Sequence, residues 1–157
     1  MSDFFTKTDL SRKDAENIIS ETLNNCDDGE LYLENSKSES IVLDDDKIKS
    51  SSYSSDLGYG LRAVTGEVVA YSHSNEISKN SLKQSANNLS STLKSQKGIY
   101  NHEIPKTNEK LYKDINPIDE KSLESKLELL KKVNSYTRAK GGIVQQVTAS
   151  FAGEYKS

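Results

Sequence analysis

The sequence is poor in the side chains that make cross-links, metal sites and membrane spans. Cys26 is its one cysteine, so no disulfide can close within the chain, which fits a reducing compartment. Its two histidines, His73 and His102, lie far apart. Neither has a second histidine at the neighbouring-turn spacing with which a helix holds zinc, and Glu103 follows His102 with no histidine behind it. No window approaches the ~18–20 consecutive apolar residues that cross a bilayer. The start, Met1-Ser2-Asp3-Phe4-Phe5-Thr6-Lys7, has no basic stretch followed by an apolar one, so no signal peptide is read and the cytoplasm is the expected location. Concentrated positive charge is missing too. The 21 basic residues are spread along the chain against 24 acidic ones, for a formal net charge of −3. A nucleic-acid binder gathers its cations on one face, so this balance argues against that role.

Apolar content is low at 33 %, with Ser, Asn and Lys making up the difference, yet the apolar residues fall in periodic segments. A chain of 157 residues showing such periodicity reads as one folded domain with a single core. Ala15, Ile18, Ile19, Thr22 and Leu23 form a helical stripe over about 9–25, with Ser11 and Asp14 placed as a capping box. From Glu30 the period becomes two. Strands are expected at 30–34, at 40–43 as a continuation or second strand, and more weakly over 47–55, with Asp44-Asp45-Asp46 as a solvated turn. Residues 57–64 and 67–72, parted by Thr65-Gly66, make the strongest hairpin signal. A second helix is expected over about 78–94, then a long connection to residue 118 holding both prolines, Pro105 and Pro117. A third helix is expected over about 117–140, with Leu123, Leu127, Leu130, Val133 and Tyr136 as its core stripe, Pro117 in its first turn and Gly141-Gly142 as its stop. Residues 143–151 read as a last strand that begins a new hairpin, which suggests further polypeptide beyond Ser157. The fold class is α+β: an antiparallel or mixed meander carrying the N-terminal and two central helices.

Few residues invite a chemical role. Gly58, Gly60 and Gly66 do not precede a helix, so they read as turn and close-approach positions rather than a phosphate loop. Arg62 is a charge inside an apolar strand. It is expected on the solvent face or paired with Asp56 or Glu67, or else holding a carboxylate of a peptide or partner domain. Cys26 follows a helix, where the dipole disfavours a thiolate, so a packing role is expected. The acidic triplet lacks the spacing of a calcium loop. An edge strand, at 67–73 or 143–151, is a place where an extended peptide can add by backbone hydrogen bonds.

Three blocks together resemble one family. They are Glu30-Leu31-Tyr32-Leu33-Glu34 with Glu39-Ser40-Ile41-Val42-Leu43-Asp44-Asp45, then Gly58-Tyr59-Gly60-Leu61-Arg62-Ala63-Val64-Thr65-Gly66-Glu67, and Val147-Thr148-Ala149-Ser150, with Ile77-Ser78 and Gln84-Ser85-Ala86 between. In this order and spacing, over nearly the whole chain, they are similar to the N-terminal domain of the TldD/PmbA family, once called modulator of DNA gyrase, and to its TldD branch. The resemblance implies that residues 1–157 are that N-terminal domain, part of a two-domain cytoplasmic metalloprotease subunit that cleaves extended peptides with a PmbA/TldE-type partner. It further implies zinc held in a C-terminal domain by His-Glu-x-x-x-His and a later Cys. The present chain stops before that region. No cofactor or catalytic residue is therefore expected here, and Arg62 and Glu67 are the candidate peptide or partner contacts. The competing expectations are a non-catalytic peptide-binding or partner module of the same family and, resting only on the old family name, an effector of gyrase. No nucleic-acid or membrane partner is expected.

Overall fold

The computed structural model describes residues 4–6, 8–93 and 115–157. Its elements run α1 (Arg12–Leu23), β1 (Asp28–Asp44), β2 (Lys47–Thr65), β3 (Val68–Ser74), α2 (Lys79–Leu93), α3 (Leu123–Arg138) and β4 (Thr148–Lys156). The four strands form one antiparallel sheet in the order β3-β2-β1-β4, so the fold is α+β. The chain divides into two compact units, residues 1–35 with 56–113, and 36–55 with 114–157. Strands β1 and β2 run through both.

In the first unit, α1 and α2 pack together and α2 packs on β3. Ser11 caps α1: its hydroxyl accepts from the Asp14 amide at 3.0 Å and donates to the Asp14 carboxylate at 2.6 Å. The same carboxylate reaches Lys79 at 2.7 Å, fastening the start of α2 to the start of α1. Inward-facing Leu61, Ala63 and Ala70 of the sheet meet Ile18, Leu82 and Leu89 of the helices. Leu61, Leu82 and Leu89 are essentially inaccessible, each stabilising the fold by ~1.5–3 kcal/mol. The Tyr59 hydroxyl, 2.9 Å from both Ser81 and Ser85, satisfies its polar end within that layer. Cys26 is buried in the same core, its thiol 3.7 Å from the Thr22 carbonyl, as expected of a packing residue.

The second unit has a smaller core: Ile41, Leu43, Leu130 and Ala149, flanked by Leu127 and Phe151. Here three expectations fail. The third helix starts not at Pro117 but at Leu123, where Ser122 accepts from the Ser125 amide. Pro117 instead sits in a turn fixed by Asn116, whose side chain accepts from the Ile118 amide and donates to Asp119. The core stripe is rotated as well. Leu123, Val133 and Tyr136 are exposed, and the buried face is Lys126, Leu130 and Asn134. Lys126 escapes the usual cost of burial because its ammonium donates to both oxygens of Glu39, at 2.7 and 2.8 Å, and to the Ile118 carbonyl at 2.7 Å. Apolar spacing alone could not reveal a lysine whose charge is met in full.

The last strand is also displaced, to 148–156. Residues before it are held by the acidic turn rather than by the ladder. Asp45 and Asp46 both adopt left-handed backbone, φ 46° and 65°, the geometry of a two-residue hairpin turn joining β1 to β2. Asp44 accepts from Gln146 and Thr148, while Asp45 accepts from the Val147 amide and pairs with Arg138. Asp44 and Asp45 are therefore docking points, not merely part of a solvated turn. The weak serine-rich stretch at 47–55 is one strand with 57–64, and 30–34 is continuous with 40–43.

Candidate functional site

Period-two alternation in the first unit puts the apolar set on the helices and leaves the other sheet face open. The β2–β3 register pairs Val64 with Val69, Arg62 with Tyr71 and Gly60 with His73. Next to them, β1 contributes Asp28, Glu30, Tyr32 and Glu34, alternate residues of one strand and hence of one face. Val69, Tyr71 and Tyr32 are 60 %, 64 % and 53 % exposed, unusual for such large apolar bodies on a sheet.

Arg62 organises this face. Its Nε donates to Glu30 at 2.8 Å and its Nη2 to Asp28 at 2.7 Å, while its side chain stays one-third exposed. Glu30 first, then Asp28, hold the guanidinium above its ordinary range. The partners are thus the acidic residues of β1 rather than Asp56 or Glu67. Glu67 is exposed in the β2–β3 turn at the border of the face. Gly66, at φ 58°, supplies the left-handed residue of that turn, and its amide donates to Asp27 at 2.7 Å. At Gly58 an added Cβ would stand 2.8 Å from the Ser74 carbonyl oxygen, so the side chain is missing where β3 passes closest. At Gly60 it would stand 2.5 Å from the Tyr71 hydroxyl: the Tyr71 ring crosses β2 and rests on the glycine. His73 stacks against the ring, centroids 5.8 Å apart at 27°.

The chemistry this face can perform is recognition. Among the described residues no three His, Cys, Asp or Glu side chains converge as a metal set. Cys26 is buried, His73 is stacked on Tyr71, and His102 lies outside the described residues, as does most of the 95–118 connection. No helix among the described residues is long and apolar enough to cross a membrane. Both candidate edges of the sequence, 67–73 and 143–151, fall on the outer strands β3 and β4, although β4 begins only at Thr148. Sequence reasoning missed Asp28, Glu30 and Tyr71. Only the two-residue spacing of Asp28 from Glu30 hinted that both share the face of Arg62.

A family model described as PmbA/TldA metallopeptidase domain 1 matches residues 29–92, which contain β2, β3 and almost all of α2. A curated metalloprotease TldD homolog of Buchnera aphidicola subsp. Acyrthosiphon pisum is 34 % identical over 131 residues, 83 % of this chain and 27 % of that protein. The one from Haemophilus influenzae is 33 % identical over 138 residues, 84 % and 28 % respectively. The chain therefore spans well under a third of the length of either relative. Among solved structures, a Thermotoga maritima protein described as a modulator of a DNA gyrase superposes with a TM-score of 0.63 at 10 % identity, over 93 % of this chain and 37 % of its own. TldE from Thermococcus kodakarensis gives 0.59 at 14 % identity, over 91 % and 34 %. These two likenesses concern the fold. Taken with the curated relatives and the matched domain, they assign the chain: it belongs to the TldD/PmbA metallopeptidase family, and its residues 29–92 correspond to the family's first domain.

Proposed function

We propose that the chain is the N-terminal domain of a TldD-like zinc metallopeptidase, a cytoplasmic protein that cleaves extended peptides together with a PmbA/TldE-type partner. In this reading the domain shapes the substrate cleft and the subunit contacts, and hydrolysis belongs to another domain. The observation that carries it is the match to the family's first domain over 29–92. Among the described residues no three His, Cys, Asp or Glu side chains gather as a zinc site would require, so no catalytic step is routed through them. What they supply is two outer strands, β3 and β4, suited to hold a peptide main chain with little side-chain demand, and an open face beside β3. Arg62, with its two carboxylates, and Glu67 are the proposed peptide or partner contacts.

The test has two parts. The chain alone should bind no stoichiometric Zn²⁺ by calorimetry and cut no oligopeptide. In a full-length subunit mixed with its TldE-type partner, Arg62→Ala should lower peptide turnover while shifting the melting temperature little, since exposed ion pairs contribute only ~0–1 kcal/mol each. Zinc-dependent cleavage by the isolated chain would overturn the reading, and a collapse of stability in Arg62→Ala would reduce Arg62 to a structural residue.

A further inference from the structure

Helix α3 carries a second apolar stripe that its own unit does not cover. The helix packs on β4 and turns Leu130 and Asn134 inward, with Lys126 held by Glu39. Leu129, Val133 and Tyr136 lie beside that buried face and are 51 %, 44 % and 67 % exposed. They are spaced by four and then three positions, and Lys140 follows after four more. That alternation is the narrow seam of a heptad, not the broad band of a core helix. Lys140 already lies along this line, its ammonium 4.1 Å from the centre of the Tyr136 ring. Lys132 borders the seam at the position where a coiled-coil helix carries its partner-selecting charge. It is exposed, and among the described residues no acid pairs with it.

From this arrangement we infer that the Leu129, Val133 and Tyr136 stripe of α3 pairs with an acidic amphipathic helix of another polypeptide. The partner's apolar seam covers the stripe, and its carboxylates reach Lys132 and Lys140. Spacing that alternates between four and three keeps one line of side chains against a single partner helix, whose leucine-sized knobs fill the holes between them. Burial of the stripe supplies affinity, and a glutamate beside the partner's seam gives each ammonium a charge-assisted hydrogen bond. The same features disfavour other occupants. A second copy brings only further lysines to the seam. An anionic membrane takes a broad apolar face with cations around it, whereas here the apolar line is narrow and Glu124 and Glu128 lie next round the helix, beyond Lys132. The inference concerns binding by this chain and does not rest on the proposed peptidase role.

The experiment titrates the 157-residue chain into a labelled peptide of about three heptads, with leucine at the seam positions and glutamate beside them, following fluorescence anisotropy. One control peptide replaces glutamate by lysine, and another moves the leucines out of heptad register. The acidic in-register peptide should bind about tenfold or more tightly than either control, and salt should weaken it by screening. Leu129→Ser with Tyr136→Ser should lower its affinity about tenfold or more, and Lys132→Gln with Lys140→Gln about threefold or more. Lys13→Gln with Lys83→Gln, an equal change of charge at exposed positions of α1 and α2, should leave it unchanged. Should the serine variant lose its far-UV circular dichroism, the lysine pair carries the test alone. Equal binding of all the peptides, no binding of the acidic one, or equal loss in the α1–α2 control overturns the inference. So does a stripe variant that abolishes self-association in sedimentation, or binding to phosphatidylserine vesicles, while sparing the acidic peptide. Failure here leaves the zinc and turnover tests above untouched.

Discussion

Replacing Lys126 by methionine isolates the most costly arrangement in the second unit. The Lys126 side chain is 6 % exposed and that of Glu39 10 %, and the ammonium meets both carboxylate oxygens while a third donor closes the Ile118 carbonyl. Methionine preserves most of the volume and the packing against Phe151, whose ring centre lies 5.8 Å from the ammonium. It leaves Glu39 as a buried charge without its counter-ion and the Ile118 carbonyl without this donor. Breaking one side of such a pair costs ~3–5 kcal/mol, a large share of the ~5–15 kcal/mol that holds an ordinary domain together. The loss is felt more here because, among the described residues, the buried apolar cluster is small: Ile41, Leu43, Leu130 and Ala149. Urea unfolding at pH 7 followed by circular dichroism reads the total, and amide exchange in α3 and β4 localises it. The paired variant Lys126→Met with Glu39→Leu removes both charges, so it should recover most of the loss. A cost below ~1 kcal/mol for Lys126→Met would refute the reasoning, as would a double variant no more stable than the single one.

Other outcomes follow from the first unit. The Asp14 carboxyl is held at about 2, chiefly by Lys79 and then by Ser11. Because the folded pKa is depressed below 3.8, the Asp14 contribution to stability is full above that value and fades as pH falls toward about 2. Asp14→Asn should therefore flatten part of the acid limb in urea midpoints measured from neutral pH downward. Gly58→Ala should lower the melting temperature more than Gly60→Ala, since the first new methyl meets the Ser74 backbone and the second only the movable end of Tyr71. Comparable losses from the two would contradict that ordering. Gly66→Val should cost ~1–2 kcal/mol in urea unfolding, because a β-branched residue is forced to φ 58°.

Most of the first unit is legible in the sequence because each local signal there agrees with the packing. Ile18, Leu82 and Leu89 recur at helical spacing and are buried; Ser11 and Asp14 do form the cap; the hairpin does turn at Gly66, though with Glu67, Thr65 being the last residue of β2. The second unit is less legible because polar side chains do the work that apolar ones do elsewhere. Lys126 is buried through a carboxylate distant in the chain, and no single-sequence pattern links it to Glu39. Likewise, Val147 is positioned by Asp45, so its segment lacks a strand ladder although its composition favours one. The open face shows the same limit. Arg62 stood out as a charge among apolar neighbours, but its partners Asp28 and Glu30 became recognisable only once β1 and β2 were side by side.

The arrangement around Asp44 and Asp45 sets an order of assembly. The β1–β2 hairpin and both helices of the first unit are complete in sequence by Leu93, and their pairings are local enough to form early. Strand β4 closes on β1 from the far side of a long loop, with Asp44 waiting for Thr148 across 104 positions. During synthesis, the β1 flank carrying Ile41 and Leu43 thus emerges long before the strand that will cover it, and in that interval it is a hydrophobic ladder open to any passing strand. A nascent chain halted before residue 148 would keep that flank open, so aggregation or chaperone capture should peak in such intermediates and subside once β4 has paired.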